Sequence, residues 1–496
     1  MVERSINPKL PKFLTMPISP DVIDHFAQAL GPKGFTQDEG EMAPWLSDWR
    51  GIYHGKAAAM LSPRTTAELA ALVTLAARHG VALVPQGGNT SMVGGATPLP
   101  DGQSVIVSLR RMNQIREVDA GAGTVIAEAG VILETLHNAT NAQAMRFPLT
   151  LGAKGSATIG GLIATNAGGT QVLRFGTMRK LVLGIEAVLP DGGIYDGLAA
   201  LKKDNRGYDL TQLLAGSEGT VGIITAANLR IIPAIADRAA AWIGVETPQV
   251  ALKLLRFLEA RSASAIESFE IIPADTLGLV LHHVSGTRAP LASHWPWQVL
   301  VEYVETMPGR SASDPLLALV SAAHEAGVIG DAAIAKNEAE IIAFWRLRDS
   351  ISEAERASGP AVQHDISVPV DAMPDFMIAA AAAVEQTFPG VTASAFGHLG
   401  DGNVHFHVRA PDGVDGAEWR AGQGKAASQM VYDLVTAAKG SLSAEHGIGQ
   451  MKRAELLRQS DPARIAALRA IKAALDPKGI MNPGKLVPLA SDAGDA

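Results

Sequence analysis

The sequence predicts an α+β protein with more than one domain, and three observations point there. A chain of 496 residues is too long to bury itself around one core. In the first half, short apolar strands alternate with helical stretches at irregular spacing, which argues against a doubly wound sheet. Past about residue 235 the glycine-rich character fades, and long Ala/Leu/Glu helical patterns with strands between them take over.

The elements follow in order. "SPDVIDHFAQAL" reads as a helix capped by Ser19 or Asp21, and an irregular tryptophan-bearing segment runs on to Lys56. "SPRTTAELAALVTLAARHG" opens with a cap and a proline, keeps apolar residues at helical spacing and ends at Gly80. "VALVPQ", "SVIVSL", "TVIAEAG", "LVLGIEAVLPDG" and "VGIITAANLRIIP" read as strands. "TPQVALKLLRFLEARS", "DPLLALVSAAHEAG", "AEIIAFWRLRDSISEAERA" and "DFMIAAAAAVEQTF" read as helices, with "WQVLVEYVE", "HDISVPV" and "NVHFHVRA" as strands between them. This second region is expected to form a sheet with helices on one face. A last helix, "DPARIAALRAIKAALDP", leads into "KGIMNPGKL", and the small, polar tail "VPLASDAGDA" is expected to fray. The expected domains are 1–235, with a glycine-rich core over 57–235, then 236–455, then a helical segment 456–496 that returns to the first.

Composition removes several functions. With 47% hydrophobic residues, 19% charged residues and a net charge of −8 of intermixed sign, the chain is globular and lacks the basic stripe of a nucleic-acid binder. It has no cysteine, which excludes disulfides, thiol nucleophiles and cysteine-ligated metals. The first residues lack the apolar core of a signal peptide, and no apolar run approaches the ~18 residues of a membrane span. A cytoplasmic protein, not integral to a membrane, is the expectation.

Three glycine clusters carry the first chemical signal: "PQGGNTSMVGG" (85–95), "GAKGSATIGGLIATNAGG" (152–169) and "GSEGTVGIIT" (216–225). None is the strand-to-helix G-x-G-x-x-G of a nicotinamide site, and none is a P-loop. Any one of them reads most simply as a turn. Three together, with Asn89, Thr90, Ser91 and Ser156 among them, read better as backbone N–H cradles for a large diphosphate cofactor.

Three of the thirteen histidines fall in "FGHLGDGNVHFHVRA", residues 396–410. Strand alternation puts His405 and His407 on one face and Phe406 on the other, and the Gly-Asp-Gly-Asn turn could return His398 to the first face. A divalent ion needs a third ligand, and "SAEHGIG" (443–449) offers Glu445 beside His446. The residues alone leave equally open an ordinary polar strand face.

In order and spacing, the quoted glycine motifs with "RFGTMRKLVLGIEAVLPDG" resemble the FAD domain of the vanillyl-alcohol-oxidase-like (PCMH-type) flavoproteins. "GHLGDGNVH" and "AEHGIG" narrow the resemblance to their D-2-hydroxyglutarate dehydrogenase branch, and it runs from about Trp49 to Lys485. It implies a PCMH-type FAD domain and an α+β substrate domain whose antiparallel sheet is flanked by helices. The cofactor residues it implies are Pro85, Gly87, Gly88, Asn89, Thr90 and Ser91 in the first loop. In the second they are Leu151, Gly152, Ser156, Gly160, Gly161, Thr165, Asn166 and Gly168. Glu218, Gly219, Ile224 and Asn482 complete the set. The first loop has no histidine, so FAD is expected to be non-covalent.

The resemblance further implies a divalent metal, Zn²⁺ or Mn²⁺, on His398, His405 and Glu445, with His407 an alternative ligand on strand geometry. It implies His446 as the base that takes the hydroxyl proton of a D-2-hydroxy acid. Asn403, Arg348 and Ser352 would hold the substrate, while Arg346 only solvates a helix face. Where the hydroxyglutarate dehydrogenases carry a lysine, this chain has Gln363, with His364 or Lys336 as possible substitutes. A weaker hold on a second carboxylate follows, which brings lactate-like acids into range. Electrons would pass to a carrier such as an electron-transfer flavoprotein, quinone or cytochrome, and a homodimer is allowed. Two other readings stay open: an oxidase using O₂, and a non-catalytic flavin- and metal-binding regulator.

Overall fold

The computed structural model describes residues 17–488; the N-terminal sixteen residues and nearly all of the tail expected to fray lie outside them. The chain forms two compact units. One comprises the described residues up to Gly168, with Thr177–Ile232 and the chain from Glu445 onward; the other comprises Gly169–Gly176 and Pro233–Ala444. The last crossing therefore falls at 444/445 rather than 455/456. In addition, the short segment after the second glycine cluster joins the second unit, where Arg174 pairs with buried Glu267 at 3.1 Å.

In the first unit, the helix Thr66–His79 starts where the Thr65 hydroxyl accepts the Glu68 N–H at 3.1 Å and stops at Gly80, whose φ of +68° only glycine adopts cheaply. Its buried positions Leu69, Leu72, Val73 and Ala76 follow the 3.6 period and enter the core formed by Leu83, Val105 and Val107. Each buried leucine stabilises by about 1.5–3 kcal/mol. Ala82–Gln86 and Ser104–Ser108 pair in parallel within a four-stranded sheet, and a five-stranded antiparallel sheet centres on Ile223–Arg230. Leu83 also bonds the returning chain: its N–H donates to Ile480 and its carbonyl accepts from Asn482, both at 2.8 Å. That brings residues 480–482 beside the strand feeding the first glycine loop.

The second unit is a seven-stranded antiparallel sheet. Its order is Asp331–Ile334, Asp237–Val245, Trp297–Glu305, Ile266–Pro273, Thr392–His398, Asn403–Arg409 and Ala361–Ser367. Helices cover both of its faces, not one as the sequence suggested. Ala239, Ala241, Ile243 and Phe406 meet helices Pro248–Glu259, Ser313–Glu325, Met373–Thr387 and Gln423–Ala437. Ala240, Trp242 and Phe396 meet Ala274–His283, Glu338–Asp349 and Ile351–Ala357 on the other side. Strands buried on both faces lose polar alternation, which is why "DRAAAWIGV" and "TASAFGH" carry little strand signal. The expected long helix through 339–357 is broken into two at Ser350.

Candidate functional site

In the first unit the glycine loops approach each other backbone to backbone. A Cβ on Gly88 would lie 1.8 Å from the Ser156 carbonyl oxygen, and one on Gly87 would lie 2.0 Å from Thr158 Oγ1. Beside this contact lies a cavity of about 290 Å³ lined by Trp45, Gly88, Arg110, Gly155, Ser156 and Thr158, among others. Thr158 Oγ1 is buried there without a hydrogen-bond partner, as is Asn89 Oδ1 in the adjoining loop. Arg110 stacks on Trp45, its guanidinium 3.5 Å from the ring centre. Narrow glycine loops, orphaned polar atoms and a guanidinium fit the diphosphate of a dinucleotide cofactor.

Four of the nine non-glycine residues with positive φ among the described residues are Asn89, Asn166, Glu218 and Asn482, all in the expected cofactor set. Their side chains mostly brace the loops themselves. Asn89 Nδ2 donates to Ser47 O at 2.8 Å, and Asn166 Oδ1 accepts from Arg179 N at 2.9 Å. Asn482 Nδ2 donates to Glu218 O and Gly95 O at 2.7 and 3.0 Å. Thr165 bonds back to Gly161 O at 3.0 Å, and Ser91 Oγ accepts from Gly95 N at 3.0 Å. Both carboxylate oxygens of Glu218 accept from the 445–449 loop, Ile448 N at 2.7 Å and Gly449 N at 2.8 Å. Gly168 leaves room for Glu445, whose Oε1 would be 2.8 Å from a Cβ there. Sequence reasoning passed over Lys485, a buried ammonium held by burial, and by Arg453 beside it, at a pKa of about 7.

In the second unit the antiparallel pair Thr392–His398 and Asn403–Arg409 brings two of the expected ligands together: the His398 and His405 rings lie 5.3 Å apart, nearly perpendicular. His405 and His407 both pack on Phe396, while Phe406 enters the opposite core. His398 Nδ1 lies 2.6 Å from Glu270 Oε1, and its Nε2 lies 3.1 Å from Arg348 Nη2. Arginine only donates, so Nε2 accepts and the ring proton sits on Nδ1. Glu270 also binds Arg348 Nε at 2.9 Å. Burial would raise the Glu270 carboxyl, but Arg348 and the His398 bond outweigh it and hold the pKa at about 2. Burial, with His398 and Arg348 nearby, pushes His405 well below the ordinary imidazole value. The two imidazoles stand near the carboxylate of Asp365, which is 3.9 Å from His405 Nδ1, residue types that suit a divalent ion once Arg348 yields His398 Nε2.

The remaining expected residues are placed as follows. Asn403 Nδ2 donates to Asp365 Oδ1 and Ile366 O, each at 2.9 Å, and its buried Oδ1 has no partner. His407 lies 3.6 Å from the buried carboxylate of Glu355, which Arg409 also approaches at 3.5 Å. Ser352, Gln363 and Lys336 are exposed; His364 is buried, with Nδ1 2.9 Å from Phe406 O. Exposed Arg346 donates to Ser285 O at 2.8 Å. Glu270, Glu355 and Asp365 escaped sequence reasoning. The available signal was an acid inside an apolar strand, Glu270 in "IESFEIIP" and Asp365 in "AVQHDIS"; Glu355 lies in a helix and gave none. Among the described residues no helix is long and apolar enough to cross a membrane.

The FAD binding domain family matches residues 57–197, and the C-terminal domain of FAD linked oxidases matches 235–486. D-2-hydroxyglutarate dehydrogenase of Bos taurus is 36% identical over 92% of this chain and 82% of its own. A putative mitochondrial D-lactate dehydrogenase of Schizosaccharomyces pombe is 33% identical over 91% of this chain and 86% of its own. The p-cresol methylhydroxylase structure has the same fold, with a TM-score of 0.73 at 14% identity over 97% of this chain and 99% of its own. The chain belongs to the FAD-linked oxidases. Within them it falls in the D-2-hydroxyglutarate dehydrogenase-like group.

Proposed function

We propose that this protein is an FAD- and divalent-metal-dependent dehydrogenase that oxidises a D-2-hydroxy acid to the 2-oxo acid. The flavin, when bound, supplies a hydride acceptor at N5. A divalent ion, when bound on His398, His405 and Glu445, supplies a Lewis acid for the substrate's hydroxyl and carboxylate. The chain's own residues do the rest. His446 takes the hydroxyl proton as the α-hydride leaves, a task for which imidazole is the usual side chain near neutral pH. Arg348, fixed by Glu270 through Nε, would turn its terminal guanidinium N–H groups to the substrate carboxylate. Electrons then leave to a carrier protein, quinone or cytochrome.

One observation carries this reading. Within the second unit, Ser441 and Ser367 exchange backbone bonds of 2.7 and 3.0 Å, and the Ala444 N–H reaches the Asp365 carbonyl at 3.3 Å. Asp365 pairs directly with His405 across the strands. Glu445 and His446, which this reading assigns as third ligand and base, are the next two residues in the sequence.

The test is anaerobic mixing of the FAD-loaded protein with D- and L-lactate, D-2-hydroxyglutarate, glycolate and D-malate. Loss of the ~450 nm flavin band with a D-acid is expected. A flavin that no acid bleaches would defeat the proposal.

A further inference from the structure

Glutamate 218 stands in a cofactor motif, yet its side chain reaches elsewhere in its own unit. Both carboxylate oxygens accept backbone N–H groups two and three residues beyond His446, from Ile448 at 2.7 Å and Gly449 at 2.8 Å. The loop is shaped for this. Gly447, at φ +80°, has its Cβ position 2.8 Å from Glu218 Oε1, and Gly449, at φ +52°, has its Cβ position 2.2 Å from Val93 O. Side chains at either place would collide with the groups that hold the loop.

Further bonds hold the same segment. Gln450 N donates to Val93 O at 3.0 Å, and Gln450 Nε2 donates to Gly94 O and Thr97 O, each at 2.9 Å. Glu218 is itself held in a left-handed conformation by its N–H on Ala164 O at 2.8 Å and by Asn482 on its carbonyl. A buried carboxylate accepting two N–H groups is a strong, directional brace.

We propose that Glu218 is a positioning residue that fixes the orientation of His446 through the Ile448 and Gly449 amides, rather than a ligand of the flavin. The inference rests on the reading of His446 as the proton acceptor. An imidazole two residues from a fixed point swings with the backbone, and displacements near 1 Å cost catalysis about 100-fold.

The test compares Glu218→Gln, Glu218→Asp and Gly447→Ala with the wild-type holoenzyme. In Glu218→Gln the amide nitrogen would face an N–H, leaving one brace unmade. Amide exchange at Ile448 and Gly449 should rise about tenfold or more while FAD content is retained. The limiting rate of flavin reduction should fall about 10–100-fold with little change in the substrate's half-saturation. Glu218→Asp should recover part of that rate, and Gly447→Ala should reproduce the loss from the loop's side even if the Glu218 variants do not fold. Unchanged exchange at the two amides, or increased exchange with a wild-type reduction rate, would overturn the proposal. If the wild-type flavin is bleached by no acid, the functional reading fails, while the exchange data still decide whether Glu218 holds the loop.

Discussion

Glu270 and His398 are joined by a 2.6 Å hydrogen bond, and the same carboxylate grips Arg348 at 2.9 Å. One buried acid therefore sets both the tautomer of an expected metal ligand and the direction of an expected substrate clamp. Glu270→Gln keeps the shape, removes the charge and can offer a donor to Nδ1. Outer partners of this kind are worth about 10–100-fold in metal affinity. Titration of the metal-free variant with Zn²⁺, followed by calorimetry, should show a loss of that size, and equal affinities would detach Glu270 from the site.

His446→Ala should slow flavin reduction by about 10²–10⁴-fold, the usual contribution of a general base. Bound FAD should keep its yellow colour, because the cofactor cradle is built from other loops. Single-turnover reduction at the wild-type rate would remove His446 from the mechanism.

The Gly88–Ser156 approach can be tested for its own sake. Gly88→Ala places a methyl where only 1.8 Å separates it from a carbonyl oxygen. Overpacking of this sort costs about 1–3 kcal/mol. It should appear as a lower Tm together with a reduced ratio of flavin to protein absorbance. Full flavin content would mean that the loops can part without loss of the cradle.

Burial lowers the Lys485 pKa to about 7 from an ordinary lysine value near 10.4. Below pH 7 both folded and unfolded chains bind the proton, and the folded state bears the full cost of a buried charge. Between about pH 7 and 10 only the unfolded chain binds it, so this group's contribution to stability rises with pH by up to about 1.4 kcal/mol per unit. Lys485→Met should therefore gain stability over wild type at pH 6 and lose most of that gain by pH 9. Denaturant unfolding at the two pH values measures it, and a gain independent of pH would refute the assignment.

Much of the fold was legible where one physical signal acted alone. The helix ending at Gly80 announced itself by cap, period and stop, and the strand around His405 by alternation. What sequence hid is non-local. The strand Asp237–Val245 is apolar on both faces because helices cover both, so its alternation vanishes. Glu270 sits in an apolar strand and acquires meaning only through Arg348 and His398, 78 and 128 residues away. Glu218 sat in a cofactor motif, and only the folded chain turns its carboxylate to the loop after His446.

We propose that Gln363 is the position that would read a second substrate carboxylate. It lies exposed on the outer strand Ala361–Ser367, directly across from His407, at the position where the family resemblance led us to expect a lysine. The alternatives do not replace that charge: His364 is buried against Phe406, and Lys336 follows the strand Asp331–Ile334 at the opposite edge of the seven-stranded sheet. Gln363→Lys adds one cation in a solvated position, where an ion pair contributes about 0.2–1 kcal/mol. The half-saturation concentration for D-2-hydroxyglutarate should fall about 2–5-fold, that for D-lactate should not move, and the gain should shrink as salt rises. Equal shifts for the two acids would show that position 363 does not read the second carboxylate.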